Sequence, residues 1–307
     1  MAASGVLRSG SPLTPPAQGR CEQGRTESMR ARKLLERVAR AALHPLRLSI
    51  VPINSGYYIA ADWRRDDWRN PSVLKELAFA DHLRRLFANL RTDCVLDVGA
   101  NAGQYAQFLR EQVGFGGTIL SFEPASDSYG RLLSTAKGDD NWKAFHMGLG
   151  RENARREINL MKMSQCSSFL DPSPHLSGHL KEASIVDGVE IVEVRRLDGM
   201  LSDLKAEFRF ERPYLKLDTQ GFDLEVIAGV GARLAEISAL QSEMSIQPIY
   251  RGMPNYRQAL QTLEELGFRI SGMFPVVVSD HAIIEFDCVM VRGTGPSNIG
   301  GTDTPLL

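Results

Sequence analysis

The stretch Cys94-Val95-Leu96-Asp97-Val98-Gly99-Ala100-Asn101-Ala102-Gly103 decides the fold. A short apolar run carries one acidic residue, and two glycines follow four positions apart. Gln104 to Glu111 then reads as a helix. A buried strand, a tight glycine turn and a helix N-terminus leave backbone amides open to a polar, nucleotide-like ligand. Gly99 and Gly103 let the backbone turn sharply and approach that ligand without a side chain in the way.

Outward from this turn the chain alternates strand and helix. Strands are expected at 94–98, 118–123, 142–147, 213–218, 237–244, 268–278 and 283–292, and helices at 103–113, 126–136, 224–233 and 256–266. Such alternation predicts a mainly parallel sheet covered on both faces. Only the polar Ser279-Asp280-His281 separates the last two strands, so one antiparallel strand should close the sheet. Asn70-Pro71 opens a further helix to about residue 90, with Leu74, Leu77, Leu83, Phe87 and Leu90 mostly on one face. Between 150 and 200 the alternation fails. Ala154–Met161 and Val189–Arg196 look like strands, while 164–187 reads as a Ser-, Pro- and His-rich loop of the kind that carries function or moves as a lid.

Composition sets outer limits. The 307 residues are 43% hydrophobic and 24% charged with a net charge of −1, ordinary for a globular protein. That charge gives no field to attract nucleic acid. The scattered cysteines Cys21, Cys94, Cys166 and Cys288 lack metal or disulfide spacing and suit a reducing, cytoplasmic setting. Residues 1–28 and 293–307 are poor in core-forming residues and are expected to be disordered. Met29 begins an Arg-rich helical segment, which raises the hypothesis that translation starts there. Residues 30–47 could rest on an anionic membrane surface or simply cap the core, and 29–71 form an N-terminal extension to a domain at 72–292.

The chemistry gathers at strand ends. Glu123 closes the strand Thr118 to Phe122, twenty residues after Gly103, where a carboxylate can accept hydrogen bonds from both hydroxyls of a ribose. The pattern Gly99-x-x-x-Gly103 lacks the third glycine of a dinucleotide fingerprint, and Asp97 would repel a pyrophosphate but suit an ammonium group. S-adenosylmethionine has an ammonium, a ribose and no phosphate. The residues therefore favour a methyltransferase over a nicotinamide-dependent oxidoreductase or a non-catalytic nucleotide-binding module.

Three blocks resemble the FkbM-type S-adenosylmethionine-dependent methyltransferases: Leu96 to Gly103, Phe122-Glu123-Pro124, and Leu215-Lys216-Leu217-Asp218-Thr219-Gln220-Gly221-Phe222-Asp223. Ser167-Ser168-Phe169, Arg196-Leu197-Asp198 and Glu285-Phe286-Asp287 are similar to further blocks of that family. The Gln220-Gly221 step stands where a Glu-Gly ending is common. The resemblance implies a class I, Rossmann-like fold with a seven-stranded sheet, and methyl transfer to oxygen on a small molecule or glycan.

In that frame Asp97, Gly99, Asn101, Gly103, Glu123 and Gly148 are the candidate cofactor contacts. Asp218 ends its strand in the same crevice and is the candidate base for the acceptor hydroxyl; the alternative is a helix cap for 222–233. Glu243 ends the next strand and could share proton transfer with Asp218, or bind a divalent cation with it, although no dedicated metal motif exists. Ser168 and His175 in the loop, with Tyr250 and Arg251 after Pro248, are the candidate acceptor contacts; Arg251 is either an anion clamp or a surface residue.

Overall fold

The computed structural model describes residues 48–53, 56–61, 71–176, 178–279 and 281–293. The expectations for the leader, the basic helix and membrane contact at 30–47, the start at Met29, and the tail beyond 293 lie outside the described residues. The chain divides into two compact units, Met1–Asn70 and Pro71–Leu307. In the first, β1 (Leu48–Ile53) and β2 (Gly56–Ala61) form an antiparallel hairpin. Among the described residues no helix is long and apolar enough to cross a membrane.

The second unit is built on β3 (Cys94–Val98), β4 (Thr118–Phe122), β5 (Trp142–Phe145), β9 (Pro213–Leu217), β10 (Ala239–Ser245), β11 (Phe268–Ser279) and β12 (Ala282–Arg292). Their spatial order is β11-β12-β10-β9-β3-β4-β5. The pairs β5–β4, β4–β3, β3–β9 and β9–β10 are parallel, and β12 runs antiparallel to both β10 and β11. The antiparallel strand thus lies one place inside the edge, because the hairpin folds β12 back between β10 and β11. Between β3 and β9 the chain order reverses. In an open α/β sheet such a switch point leaves a crevice beyond the carboxyl ends of the strands.

Strand alternation sends successive side chains to opposite faces. From β3, Leu96 and Val98 join Leu120, Phe122, Leu215, Leu217 and Leu240 under α5 (Leu201–Phe208), α6 (Asp223–Val230) and α7 (Tyr256–Glu265). Val95, Ile119, Tyr214 and Ala239 face the other way, onto α1 (Pro71–Leu90) and α2 (Gln104–Phe108). Each large side chain so buried contributes about 1.5–3 kcal/mol. Helix α3 (Ser126–Ala136) bridges β4 and β5, while α2 runs on as a π-helical turn to Val113 and stops at Gly114 with φ 73°. Asn255 starts α7 with a reciprocal cap: its carboxamide accepts the Gln258 N–H at 3.2 Å while the Gln258 side chain accepts the Asn255 N–H at 2.9 Å.

The expected irregular stretch holds more structure than its sequence advertised. Gly148–Leu149 (β6), Ala154–Met161 (β7) and Val186–Arg195 (β8) form a separate three-stranded sheet, and α4 spans Gly178–Ala183. Strand β8 begins inside the segment read as loop. Its outer face exposes Val186, Val189 and Ile191, so the alternation there is not the polar-out pattern of a one-sided strand.

Candidate functional site

A cavity of about 490 Å³ opens at the carboxyl ends of β3, β4, β9 and β10, at the switch point. At one end are Gly99, Ala100, Asn101, Phe122, Glu123, Pro124 and Gly148. Further along lie Lys216, Asp218, Gln220, Gln241, Glu243 and Asp287, and Phe79, Phe108 and Phe274 form a wall.

The glycine turn is shaped by close approach. A Cβ on Gly99 would lie 2.0 Å from the Asp218 carbonyl oxygen, and Gly99 has φ +77°. Its neighbour Asn101 also adopts a left-handed conformation, φ 47°. There its amide N–H donates to Glu123 Oε2 at 2.8 Å, while the Ala125 N–H donates to Oε1 at 2.9 Å. The carboxylate is therefore fixed at the end of β4 with further lone pairs for a ligand. Burial pushes the Glu123 carboxyl up to about 7, against the downward pull of those two backbone donors. Gly148 also borders the cavity, where a Cβ would lie 3.1 Å from the Phe169 ring.

Two expected cofactor contacts do not border the cavity. Gly103 precedes α2 with φ 90°, and a Cβ there would strike Trp142 at 2.8 Å, so its role is packing. Asp97 is fully buried. Its Oδ1 lies 3.0 Å from Lys216 Nζ and its Oδ2 accepts from Ser121 Oγ at 3.0 Å. Proximity in sequence to the glycine turn suggested a ligand ammonium as its partner, but the side-chain ammonium of Lys216 already holds that place. Strand register explains why. Ser121, Asp97, Lys216 and Gln241 pair directly across β4, β3, β9 and β10 on one face. Trp142 Nε1 donates to Ser121 Oγ at 3.0 Å, and Tyr105 Oη donates to Gln241 Oε1 at 2.8 Å. The four residues make one buried polar row. Burial pulls the Lys216 ammonium down, but Asp97 and then Asp218 outweigh it, and it stands above its usual range.

Two residues further along their strands, on the same face, Asp218 and Glu243 reach the cavity. Gln220 lies between them, also left-handed at φ 53°. Its amide donates to Asp218 Oδ1 and Glu243 Oε2, each at 2.8 Å. Burial, then the charge of Asp218, drives the Glu243 carboxyl well above its ordinary value. Asp287 pairs directly with Glu243 across β12, and burial raises it to about 7. Asp218 is the more open group: its side chain is 37% exposed, with Oδ2 3.5 Å from Lys216 Nζ. It does not cap α6. Asp223 holds that turn instead, accepting the Thr219 N–H at 3.0 Å and Ser242 Oγ–H at 2.6 Å.

The expected acceptor contacts divide. Ser168 borders the cavity, but its hydroxyl donates to the Gln220 carbonyl at 2.8 Å and accepts the Leu170 N–H at 3.0 Å. Tyr250 is buried behind the cavity, with its phenol 2.8 Å from Gln220 Oε1 and 2.7 Å from the Cys166 carbonyl oxygen. It supports Gln220 rather than meeting a ligand. His175 and Arg251 are exposed and lie outside the lining. Of the two readings of Arg251, the structure places it as a surface residue outside the cavity, its backbone N–H donating to the Asp171 carbonyl oxygen at 2.7 Å. No group of three His, Cys, Asp or Glu side chains placed to hold a metal ion occurs among the described residues.

Lys216, Gln241, Asp287 and the aromatic wall were missed as functional residues. Lys216 had a readable signal, being one charged residue inside an otherwise apolar strand, whereas Gln241 sits among other polar residues of β10. Phe79 and Phe274 had none, since single aromatics in a helix and a strand read as core.

The Methyltransferase FkbM domain family matches residues 97–270. The chain is 27% identical over 189 residues to the 2-O-methyltransferase NoeI of Sinorhizobium fredii, covering 59% of this chain and 74% of that protein. Among solved structures, a methyltransferase FkbM from Methylobacillus flagellatus matches with a TM-score of 0.39 and 13% identity; the alignment covers 64% of this chain and 43% of that one. The magnesium protoporphyrin IX methyltransferase of Synechocystis matches with a TM-score of 0.37 and 10% identity, over 72% of this chain and 81% of that one.

Proposed function

The chain belongs to the FkbM methyltransferase family, and from that premise we propose that it moves a methyl group from S-adenosylmethionine to a hydroxyl oxygen of a small molecule or glycan. One observation carries this reading: a single cavity joins the Gly99–Asn101 turn and Glu123 to the Asp218–Gln220–Glu243 cluster. The first half fits a nucleoside. Glu123 is anchored by two backbone amides and keeps lone pairs for two ribose hydroxyls, while Gly99 and Gly148 leave backbone open beside it. Strands β4 and β9 are two spacings apart, about 10 Å, so a ligand held at Glu123 extends toward Asp218.

The cofactor supplies a methyl group on a positively charged sulfur. The chain's residues supply orientation and proton removal. Gln220 fixes Asp218 Oδ1, leaving the carboxylate able to accept a hydroxyl proton, and Glu243 in its protonated form can hold the acceptor oxygen by donating to it. Lys216 stays charged, with its Nζ 3.5 Å from Asp218 Oδ2. The name of the relative, a 2-O-methyltransferase, supports oxygen as the acceptor atom.

The test is calorimetry with S-adenosylmethionine and NAD, followed by methyl incorporation from labelled cofactor into candidate acceptors. Binding of S-adenosylmethionine and not NAD is expected, and Asp218→Asn should abolish turnover while cofactor affinity is kept. Preference for NAD, or wild-type turnover in Asp218→Asn, would refute the reading. Cofactor binding without transfer to any acceptor would favour a non-catalytic module.

A further inference from the structure

Phe79 of α1, Phe108 of α2 and Phe274 of β11 come from three separate elements and converge on the cavity beyond Asp218 and Glu243. The Phe79 and Phe108 rings stack at 5.3 Å, and Phe79 meets Phe274 at 4.7 Å. None of the three rings is fully buried. Three phenyl faces that could have closed into core instead keep surface on the site.

The position of Phe274 is built by its neighbours. Gly272, two residues earlier on the same face, has no Cβ; one placed there would lie 2.7 Å from the Phe274 ring. His82 packs beside the ring at 5.3 Å, and that Cβ would lie 3.2 Å from His82 too. Register shifts in β11 between Ile270 and Gly272 and again between Pro275 and Val277 bracket the segment. Bulges of this kind re-aim a side chain next to a site. Lys75 Nζ then reaches the Val276 carbonyl at 3.4 Å, tying α1 to this segment.

Beside the phenyl wall, in the same cavity, stand planar polar groups, Asp218, Glu243 and Asp287. Phe274 pairs directly with Asp287 and Asp287 with Glu243, so Phe274, Asp287 and Glu243 lie in one row on one face of the sheet. Each carboxyl can engage two neighbouring hydroxyls at once. An apolar flat wall flanked by a row of carboxyl groups matches a molecule with one C–H face and a rim of hydroxyls. Charge narrows the choice. An anionic acceptor would meet the Asp218 carboxylate, and a cationic one would meet the positive sulfur of the cofactor.

We propose that the Phe79–Phe108–Phe274 wall is the acceptor subsite and that it takes an uncharged pyranose ring, C–H face on the phenyl groups and hydroxyls toward Asp218 and Glu243. The assignment rests on the methyl-transfer reading for its purpose but makes a binding claim of its own. Both the ring class and the wall are testable without turnover.

Saturation-transfer NMR with methyl β-D-glucopyranoside, methyl β-D-glucuronide and catechol tests it, with and without S-adenosylhomocysteine. The β-glucoside carries three C–H bonds on one face and is expected to receive saturation there. Its charged glucuronide counterpart is expected to show none. Phe274→Ala and the milder Phe274→Leu should weaken the glucoside about tenfold, the scale of one lost ring contact, while S-adenosylhomocysteine affinity by calorimetry is unchanged. No glucoside binding, preference for catechol, equal binding of the glucuronide, or indifference to both Phe274 variants would overturn the proposal. Failure to bind S-adenosylhomocysteine with the glucoside still held on the wall would instead refute methyl transfer and leave the subsite standing.

Discussion

Replacing Lys216 by methionine tests whether the buried polar row supports the site. Asp97 is fully buried, and its charged partner is the Lys216 ammonium at 3.0 Å. At an effective dielectric of 20, that pair is worth about 5.5 kcal/mol in Coulomb energy. Methionine preserves most of the apolar stem, so the variant isolates the lost charge. An uncompensated buried carboxylate of this kind costs about 3–5 kcal/mol of stability, a large part of what a domain possesses. The attraction is not the net worth of the pair, since both ions also lost water. Neutralising the other partner should therefore restore much of the loss, and Lys216→Met/Asp97→Asn is expected to recover about 2 kcal/mol or more relative to Lys216→Met alone. Urea unfolding followed by circular dichroism at neutral pH measures all three proteins. A Lys216→Met variant within about 1 kcal/mol of the native protein, below the range for a broken buried pair, would refute the argument. So would a double variant no more stable than the single one, because the penalty would then not reside on Asp97.

Four further outcomes follow from the site's geometry. The Glu123 carboxyl ionises near 7 in the folded chain against about 4.5 ordinarily, so its ionised form dominates only above that value; S-adenosylhomocysteine affinity should rise about tenfold from pH 6 to pH 8, and calorimetry of Glu123→Gln should show a flat profile. The same shift lowers stability as pH rises from about 4.5 to 7, because the unfolded chain ionises first, and Glu123→Gln should reduce that slope in the unfolding curves, leaving the share of Asp287 and Glu243. Gly99→Ala places a Cβ 2.0 Å from the Asp218 carbonyl at a left-handed φ; the strain of about 1–2 kcal/mol comes on top of a shift that should cost about a hundredfold in kcat, read by steady-state kinetics beside a melting curve. Gln220→Ala removes the amide that joins Asp218 to Glu243 and should lower kcat about ten- to a hundredfold with the KM for cofactor little changed; an unchanged kcat would show that the bridge is dispensable.

Much of the fold could be read because its central strands are uniform. Strand β9 is buried at every position and β3 likewise, so an apolar run bounded by a glycine turn or a proline marks them. The chain between 148 and 208 resisted for a physical reason. Strand β6 is only Gly148–Leu149, too short to carry any periodicity, and β8 shows apolar residues on an exposed face. Helix α5, Leu201–Phe208, covers barely two turns and offered no long amphipathic pattern. In the site, Glu123 and Asp218 were legible because strand ends at a switch point are where ligands meet the sheet. The partner of Asp97 was not, because it lies 119 positions later, and Ser168 and Tyr250 could not be separated from ligand contacts until their hydrogen bonds to Gln220 were known.

The polar row also explains why Asp218 and Glu243 arrive together. Ser121, Asp97, Lys216 and Gln241 occupy matched positions on four neighbouring strands, and each bonds to a partner supplied by an adjacent strand or by α2. A one-residue slip of β9 would turn Lys216 into the layer of Leu96, Leu120 and Leu240 and leave Asp97 with no cation. That slip costs more than any apolar mismatch, because a buried charge without its partner is penalised more heavily than a misplaced methyl group. The row therefore selects one register for the parallel strands. Two residues beyond Lys216 and Gln241, on the same face, stand Asp218 and Glu243. Fixing the row thus fixes the pair, and Gln220 has only to close the last gap between their carboxyl groups. The residue that sequence proximity assigned to the cofactor, Asp97, acts on the opposite half of the cavity, through the lysine that holds β9 in place.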